Sequence, residues 1–493
     1  MTRTPVFIIW ILLEAIVAAP SARCATASSS SRPNIILILA DDLGYGELGC
    51  YGQQKIKTPN LDRMAREGLR FTRFYAGATV CAPSRSVLMT GQHGGHTTVR
   101  GNASAKDRSP QTLRSNDVTV AEMLKSAGYK TGLIGKWGLG MNDEGHPNRQ
   151  GFDYFFGYLS QLHAHNHFPD HLWRNFDQVP LRNKIVPMGD DGAGYSTNSL
   201  QFAGDLFAEE VMDFIDRSTN KPFFLYFCPV VPHANNERKK ALGNGMEVPD
   251  FGPYKNEPWD DALKGQAAMI TRLDSDIGRI RQHLNVLGLE RKTLIIFTSD
   301  NGPHKEGGGD SSFFQPGGSL NGFKRDLTDG GICVPFIATW PGKIQPAVSS
   351  HVGYFGDLMA TFAELAGTTA PEKIDSFSIV PTLLRRPVPT GRATVVQNRS
   401  QSVHPHLYWE FHESGFSQAV LLGTRWKGIR LKRLDMPIQL YDLHTDPAEK
   451  TDVAADYPVI VKRIALLLQT ERTDSSLWPI KEAPEEKAKE KKQ

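Results

Sequence analysis

The sequence predicts an α/β fold built on a large, doubly wound, mostly parallel sheet flanked by helices. Apolar runs without alternation stop abruptly at polar residues, which is typical of strands buried on both faces. Helix-like stretches separate these runs, as expected of a chain that alternates between strand and helix. After about residue 395, short strands and Gly-containing turns replace this pattern. This change predicts a smaller C-terminal antiparallel sheet with one helix.

Each predicted element of the main sheet follows from its own segment. Strands are predicted at 34–40, 129–135, 221–231 and 292–299, and helices at 60–68, 119–128 and 269–287. In the C-terminal part, strands are predicted at 406–412, 418–422 and 424–431, followed by an amphipathic helix at 457–469. We place a signal peptide at 1–27, a catalytic domain at 33–395, the C-terminal subdomain at 396–478 and a charged, solvated tail at 479–493.

The four buried strands end at residues that carry chemistry. The first is followed by Asp41 and Asp42, the last by Asp300 and Asn301, and the two between them by Lys136 and by Pro232-His233. Any one of these residues alone is more often a cap, a turn or a solvated side chain. Ligands of such sheets bind beyond the carboxyl ends of the strands, so together they predict one site. Its oxygen-only donors favour Ca²⁺ or Mg²⁺ over Zn²⁺.

Composition excludes several classes of protein. The chain has 493 residues, with 56 Lys and Arg against 53 Asp and Glu, a formal net charge of +3, and 40% hydrophobic residues. These values exclude disorder, collagen and coiled coil as overall descriptions. The small net charge argues against binding nucleic acid through a basic surface field. Five cysteines are too few for a disulfide scaffold, and the odd number leaves at least one thiol unpaired.

The amino terminus has the pattern of an export signal. Arg3 supplies positive charge, an apolar stretch follows at 5–19, and small residues extend to Ala27. A membrane anchor is the alternative, but the apolar stretch is short for a span and contains Glu14. We therefore expect an exported protein, periplasmic or secreted, without a stable membrane span after cleavage.

One cysteine has an unusual sequence context. Cys81 lies in ATVCAPSRSVLMTG, where Pro83 and Ser84 suit the first turn of a helix. That position places Cys81 at an anion-binding helix start, with Arg85 about one turn later. A buried, unmodified thiol is the alternative interpretation.

CAPSR followed by LMTG resembles the formylglycine signature of the type I sulfatases, in which this cysteine is oxidised to an aldehyde. The resemblance also covers NIILILADDLGYGELGCYG, TPNLDRMAREGLRFTRFYAG, GKW, SDNGPHKEGG, GFKRDLTDGGICVPFIATWPG and LYDLHTDPAEKTDVA, in order along nearly the whole mature chain. It implies that a formylglycine-generating enzyme modifies Cys81 during maturation. It further implies that one hydroxyl of the hydrated aldehyde attacks sulfur and that the second later helps to expel sulfate.

The resemblance also implies roles for individual residues. The implied metal ligands, around Ca²⁺ or Mg²⁺, are Asp41, Asp42, Asp300, Asn301 and modified Cys81. Arg85 matches the residue that holds the aldehyde hydrate, because its planar charged fork suits that task. Lys136, His233 and Lys324 match the positions that bind sulfate and assist the leaving group.

The chain departs from the family pattern at one position. Many sulfatases have His two residues after the lysine at 136, whereas this chain has Gly138. His304 and His96 are the nearby candidates for a substitute, and a loop residue bonded to backbone is an equally good account of His304.

A histidine cluster and two further residues are candidates for substrate contact. The segment LSQLHAHNHFPDHLWRN contains His163, His165, His167 and His171, together with Asp170 and Trp173. Spaced imidazoles fit a transition-metal site, and the resemblance instead implies a loop near the substrate. We predict that His304, Arg100 and His165 bind substrate, with Asn102 as a comparable candidate. Trp409 and Trp426 suit core packing better than sugar stacking.

These observations predict hydrolysis of a sulfate monoester on a sulfated carbohydrate. Two alternatives stay open: a phosphonate or phosphate ester hydrolase of the same superfamily, and a sugar-binding homologue with an inactive site. No nucleic acid partner is expected.

Overall fold

The computed structural model describes residues 1–2, 32–103, 107–189, 191–384, 388–390, 393–396 and 401–484. The chain divides into the units Met1–Ser31 and Arg32–Gln493, and every element below belongs to the second. The predicted signal peptide, apart from its first two residues, and the tail from residue 485 lie outside the described residues. Within those residues, no helix is both long and apolar enough to cross a membrane.

The first strand, β1 (Asn34–Ala40), shows why the central sheet is buried on both faces. Ile35, Leu37 and Leu39 pack into one apolar core, and Ile36 and Ile38 pack into another on the opposite face. Successive strand residues point to opposite faces, so an unbroken apolar run requires a cover on each side.

Helices supply both covers. In chain order they are α1 (Pro59–Glu67), α2 (Cys81–Thr90), α3 (Val120–Ser126), α4 (Ala203–Asp216), α5 (Asn236–Leu242), α6 (Asp261–Val286), α7 (Asp329–Ile332), α8 (Asp357–Ala366), α9 (Val380–Leu384) and α10 (Pro458–Thr470). Apolar residues of α2, α3 and α8 line one core, and those of α1, α4 and α6 line the other. The predicted doubly wound arrangement is therefore confirmed.

The large sheet has a parallel centre, and its margins mix parallel and antiparallel pairs. Its further strands are β2 (Leu69–Tyr75), β3 (Lys130–Lys136), β4 (Tyr154–Tyr158), β5 (His171–Arg174), β6 (Asp177–Pro180), β9 (Phe223–Cys228), β10 (Thr293–Ser299), β11 (Cys333–Thr339), β12 (Ala347–Ser349), β13 (Gly353–Tyr354), β14 (Val388–Thr390) and β15 (Ala393–Val396), while β7 (Lys184–Pro187) and β8 (Gly194–Asn198) form a separate hairpin. Strands β10, β1, β9, β3 and β4 are neighbours in that order and run parallel. The parallel centre therefore collects its strand ends along one edge.

The helix predicted at 269–287 begins eight residues earlier, at Asp261. Its first turns contain Gly265, a poor helix former, which weakened the sequence signal. A side chain at Gly265 would place its Cβ 2.5 Å from the carbonyl oxygen of Met246, so the close approach of this helix to the neighbouring loop requires glycine.

The smaller sheet is antiparallel, as predicted, and has one more strand than predicted. It consists of β16 (His406–Phe411), β17 (Ser417–Leu422), β18 (Trp426–Arg430) and β19 (Gln439–Asp442), with α10 packed on one face. Trp409 is fully buried against Tyr75, and its indole donates a 2.9 Å hydrogen bond to the carbonyl of Ala76. Trp426 packs on Tyr457. Core packing is thus confirmed for Trp409, whereas Trp426 is only partly buried, against the edge of the small core.

Candidate active site

The register of β1 and β10 places the two acidic strand ends side by side. Ala40 lies opposite Ser299, and the Asp300 amide donates a 3.1 Å hydrogen bond to the Ala40 carbonyl. Asp42 has a φ of 65°, a conformation that Asp tolerates better than most residues. This turn lets the Asp42 amide donate to Oδ1 of Asp300 at 3.1 Å.

A group of oxygen donors surrounds the cysteine. Asp41, Asp42, Asp300, Asn301 and Cys81 are all fully buried. The Cys81 sulfur lies 3.4 Å from Oδ1 of Asp41 and 3.9 Å from Oδ1 of Asp42. The amide nitrogen of Asn301 donates to Asp42 at 2.7 Å, whereas its Oδ1 is buried without a hydrogen-bond partner. An unpartnered amide oxygen beside three carboxylates fits a hard divalent cation.

A second group of side chains, which overlaps the first, also has the spacing of metal ligands. Asp41, Asp42, Cys81 and His233 each offer one potential ligand atom, and these four atoms lie within 4.8 Å of one another. This buried group can therefore bind a metal ion.

Three cationic side chains face the carboxylates. Arg85 contacts Oδ2 of Asp300 through Nε at 3.1 Å and Nη2 at 2.8 Å. Lys136 Nζ lies 2.6 Å from Oδ2 of Asp41, and Lys324 Nζ lies 2.8 Å from Oδ2 of Asp42. Burial of so many charges is tolerated because each carboxylate has a cationic partner.

Burial and neighbouring charges act in opposite directions on these groups. Burial opposes ionisation of Asp41, but Lys136 and Arg85 outweigh it and hold the pKa of Asp41 below its usual range. Burial and then repulsion by Asp41 raise the pKa of Asp300. Burial would lower the pKa of Lys136, but Asp41 raises it, so the ammonium stays charged. The cations of the pocket thus stay charged, whereas the ionised form of Asp300 is stabilised less well than that of Asp41.

Cys81 is the first residue of α2, as the sequence predicted. Its neighbour Ala82 donates its amide hydrogen to Oδ1 of Asn102 at 3.2 Å. Burial, followed by the charges of Asp300 and Asp41, raises the pKa of the Cys81 thiol well above its usual value. A protonated thiol is a weak nucleophile, so this pocket does not activate the unmodified cysteine.

His233 lies beside Asp42, one of the carboxylates next to Cys81. Its Nδ1 is 2.8 Å from the carbonyl of Ala234, so Nδ1 is assigned as the donor and Nε2 carries the lone pair. That Nε2 lies 3.2 Å from Lys324 Nζ and 3.4 Å from Oδ2 of Asp42. Burial and the charge of Lys324 lower the pKa of His233 well below its usual value. The imidazole is therefore neutral and accepts a hydrogen bond from Lys324.

Two of the predicted substrate residues lie beside His233. The ring of His165 stacks on it at a centroid distance of 4.8 Å, and His304 lies 6.2 Å away. Nε2 of His304 is 2.9 Å from the Pro232 carbonyl, and its Nδ1 accepts a hydrogen bond from the Glu306 amide at 3.0 Å. Both nitrogens of His304 are thus bonded to backbone, which leaves no free nitrogen for acid–base chemistry.

Arg100 is not brought to this pocket. Its side chain donates to the carbonyls of Thr97 and Thr473 at 3.0 and 2.7 Å and lies 3.5 Å from Glu410. Arg100 therefore joins the catalytic part of the chain to the C-terminal sheet and helix. His96 pairs with Asp375 at 2.9 Å and is likewise not among the residues around Cys81.

An amide side chain that the sequence analysis missed takes the space next to Gly138. A Cβ at Gly138 would lie 3.2 Å from Oε1 of Gln161. Nε2 of Gln161 donates to Oδ1 of Asn102 at 3.0 Å, and Nε2 of Gln111 donates to the Gly138 carbonyl at 2.7 Å. Gln161 lies 80 positions from Cys81, and no local motif marks it.

The rim of the pocket is also built from residues that carried no sequence signal. Arg325, half-exposed, bonds Glu306 at 2.6 Å and Glu413 at 3.0 Å. Glu413 comes from the turn between β16 and β17 and accepts a 3.1 Å hydrogen bond from Asn102. The C-terminal sheet thus reaches the neighbourhood of the cysteine, which only the folded chain reveals.

The fold and the site define an α/β enzyme whose charged, buried pocket lies at the carboxyl ends of parallel strands and handles an anionic group. Residues 33–368 match the family model described as Sulfatase. The chain belongs to the sulfatase family, which confirms the resemblance, and it is a sulfuric ester hydrolase.

Individual relatives agree with this assignment. The chain is 31% identical to the N-acetylgalactosamine-6-O-sulfatase of Bacteroides thetaiotaomicron, over 90% of this chain and 94% of that protein. It is 35% identical to human arylsulfatase A, over 71% of this chain and 68% of that protein. The crystal structure of Ps i-CgsB in complex with k-i-k-neocarrahexaose superposes with a TM-score of 0.73 at 25% identity, covering 92% of this chain and 95% of the other.

Proposed function

We propose that this protein hydrolyses sulfate monoesters of carbohydrates, with a formylglycine made from Cys81 and a bound divalent cation, Ca²⁺ or Mg²⁺. The observation that carries the proposal is the buried convergence of Arg85, Lys136 and Lys324 on the carboxylates around Cys81. The names of the relatives, which include N-acetylgalactosamine-6-sulfatases, support a sugar as the alcohol part of the ester.

The chain's own cations explain how it binds a sulfate group. Lys136 and Lys324 stay protonated because the charges of Asp41 and Asp42 outweigh burial, which by itself would lower the pKa of each lysine. A sulfate that enters the pocket is held by these two ammonium groups in place of water. Their charge opposes the negative charge that develops on the ester oxygens, and this is worth more in a buried pocket than in water.

His233 is placed to serve the departing alcohol. Its Nε2 faces Lys324, whose Nζ is its hydrogen-bond donor at 3.2 Å. We propose that the Lys324 ammonium transfers one N–H proton to the leaving oxygen, and that the neutral His233 holds this ammonium in place through the lone pair of its Nε2. Arg85 donates to both Asp300 and the Lys136 carbonyl, and this positions the carboxylate and the end of β3 together.

The proposed cation and the modified side chain of Cys81 are assigned from the residues that surround them. Asp41, Asp42, Asp300 and Asn301 would bind the cation, and the unpartnered oxygen of Asn301 is the observation that favours it. When bound, the cation draws charge from the sulfate oxygens, and the modified side chain of Cys81 supplies a hydroxyl nucleophile.

Peptide mass spectrometry tests the modification directly. Protein from its native export route is digested, and the peptide that contains Cys81 is compared with the same peptide from cytoplasmic protein, which serves as the unmodified control. We expect the aldehyde in the exported protein. A free thiol there, in protein that turns over sulfate esters, refutes the proposed nucleophile.

A matched set of esters tests the reaction class. Turnover of an aryl sulfate, an aryl phosphate and an aryl phosphonate with the same leaving group is compared on one preparation. Dominant sulfate turnover supports the proposal. Dominant phosphonate or phosphate turnover supports the alternative hydrolase, and binding of sulfated sugar without any turnover supports an inactive homologue.

We also propose that the protein is exported to the periplasm or secreted, and that a formylglycine-generating enzyme acts on it during maturation. The charge, apolar stretch and small residues of segment 1–27 support export. Amino-terminal sequencing of the mature protein should begin near residues 28–31. A mature chain that retains the apolar stretch would instead support a membrane anchor.

A further inference from the structure

The four histidines between 163 and 171 do not form one cluster. His165 and His167 lie at the active site, where His165 stacks on His233 and His167 Nε2 contacts the His233 carbonyl at 2.8 Å. His163 and His171 face each other elsewhere, at a ring centroid distance of 4.4 Å. These two line a separate cavity of about 540 Å³.

His163 is buried and lacks polar partners. Its residue is only 1% exposed, and its Nε2 is a buried atom without a hydrogen-bond partner. Leaving a buried polar group unpaired costs about 1–3 kcal/mol, so this ring calls for an occupant.

His171 is oriented by a carboxylate. Its Nδ1 lies 2.7 Å from Oδ1 of Asp170, so Nδ1 donates and Nε2 carries the lone pair. A histidine that donates one ring N–H to a carboxylate and offers its other nitrogen is the usual arrangement of a metal-bound imidazole. His163, Asp170 and His171 each offer one ligand atom, and these three atoms lie within 4.8 Å of one another.

We propose that His163 and His171, the latter oriented by Asp170, form a second metal site, which binds a transition-metal ion of the Zn²⁺ class. This site is distinct from the oxygen-rich pocket at Cys81.

The donor chemistry favours a cation over water or a sugar hydroxyl. The carboxylate is an acceptor only, His171 has given its one N–H to that carboxylate, and His163 contributes a further lone pair. A group of acceptors with few hydrogens is stabilised by a cation. Two imidazoles select Zn²⁺ over Ca²⁺, and the cavity leaves a coordination position open to solvent.

A zinc titration of the whole protein in saturating Ca²⁺ tests the site, because Ca²⁺ keeps the oxygen-rich pocket occupied. We expect one Zn²⁺ per chain, with anomalous scattering at the zinc edge placing it between His163 and His171. His171→Ala should weaken binding at least ~10-fold, and Asp170→Asn about 10- to 100-fold, since an outer carboxylate contributes that much to metal affinity. His171 and Asp170 are partly exposed, so neither change is expected to prevent folding.

The control is His96→Ala, because His93, His96 and Asp375 form another group with potential ligand atoms within 4.8 Å. It should leave zinc affinity unchanged. Trp173 offers a second readout, since its ring lies 6.0 Å from that of His171. Cu²⁺ should quench part of the fluorescence, and Trp173→Phe should remove that part.

Three results would overturn the proposal: no anomalous peak in the cavity, an affinity that His171→Ala does not alter, or a loss of affinity in His96→Ala alone. Density for a sulfated oligosaccharide in the cavity of zinc-treated crystals would also overturn it, and would assign the cavity to sugar instead.

Discussion

Replacing Asp300 by Asn separates the binding of a cation from the stability of the fold. The substitution keeps the size of the side chain and an oxygen that can accept from the Asp42 amide. It removes the charge that pairs with Arg85 at 2.8 Å and one of the proposed ligand oxygens.

The structure sets the expected magnitudes. Removing one partner of a buried ion pair typically costs about 3–5 kcal/mol. Here Arg85 keeps the Lys136 carbonyl at 3.0 Å and Asp41 at 3.7 Å, and the lost charge is one whose pKa burial and Asp41 already raise. We therefore expect the metal-free variant to lose no more than about 2 kcal/mol. In Ca²⁺ at about 100 times its Kd, the wild type should gain ~2.7 kcal/mol, and the variant should gain none.

Thermal and chemical unfolding in a chelator and in Ca²⁺ measure both quantities. Asp177→Asn is the matched control, because Asp177 is exposed on β6 and outside the site. The control should keep the full Ca²⁺ effect. If Asp300→Asn also keeps it, the cation binds elsewhere; if the metal-free variant does not fold, the account of the charge balance is wrong.

Further substitutions address single contacts. Lys136→Met should lower kcat for an aryl sulfate about 10²- to 10³-fold, and an unchanged kcat would exclude charge stabilisation by this ammonium. Gln161→Ala should lower kcat about 10-fold with little change in KM, because Asn102, which accepts from the Ala82 amide next to Cys81, loses a hydrogen-bond donor; a fully active variant would show that the amide beside Gly138 has no role. Arg100→Ala should destabilise the protein by about 2 kcal/mol in denaturant titrations at unchanged kcat; a fall in kcat alone would return Arg100 to the substrate. His93, 3.9 Å from Glu471, and His406, 3.1 Å from it, lower the pKa of Glu471 to about 2. This carboxylate therefore stabilises the fold above about pH 4.5 and loses that effect as the pH falls towards about 2. Glu471→Gln should flatten this acid dependence of the unfolding free energy, and an identical profile would contradict it.

The elements best predicted from the sequence are those with a strong local pattern. The first strand, 34–40, has the predicted bounds, because seven consecutive apolar or neutral residues end at two aspartates. The strand β19 was missed because its four residues lie among turn residues and charges. A short strand is stabilised by its pairing with β18, and pairing is not visible in one segment.

The residues of the candidate site also differ in how well the sequence predicted them. Asp41, Lys136 and Asp300 were found because parallel strands deliver their ends to one edge of a sheet. Arg100 was assigned to the substrate, but its bonds to Thr473 lead to the C-terminal part of the chain. A long side chain reaches several directions from one backbone position, so its partner depends on what packs nearby.

By itself, the sequence determined the alternation of strands and helices, the position of Cys81 at a helix start and the oxygen-donor residues at the strand ends. Each of these follows from local patterns of apolar and polar residues. Only the tertiary structure decided that Gln161 faces Gly138, that Glu413 reaches the rim of the pocket, and that the four clustered histidines separate into two pairs. These contacts join side chains that are far apart in the sequence, or separate neighbours that point to opposite sides of the chain. Their geometry is set by packing between elements.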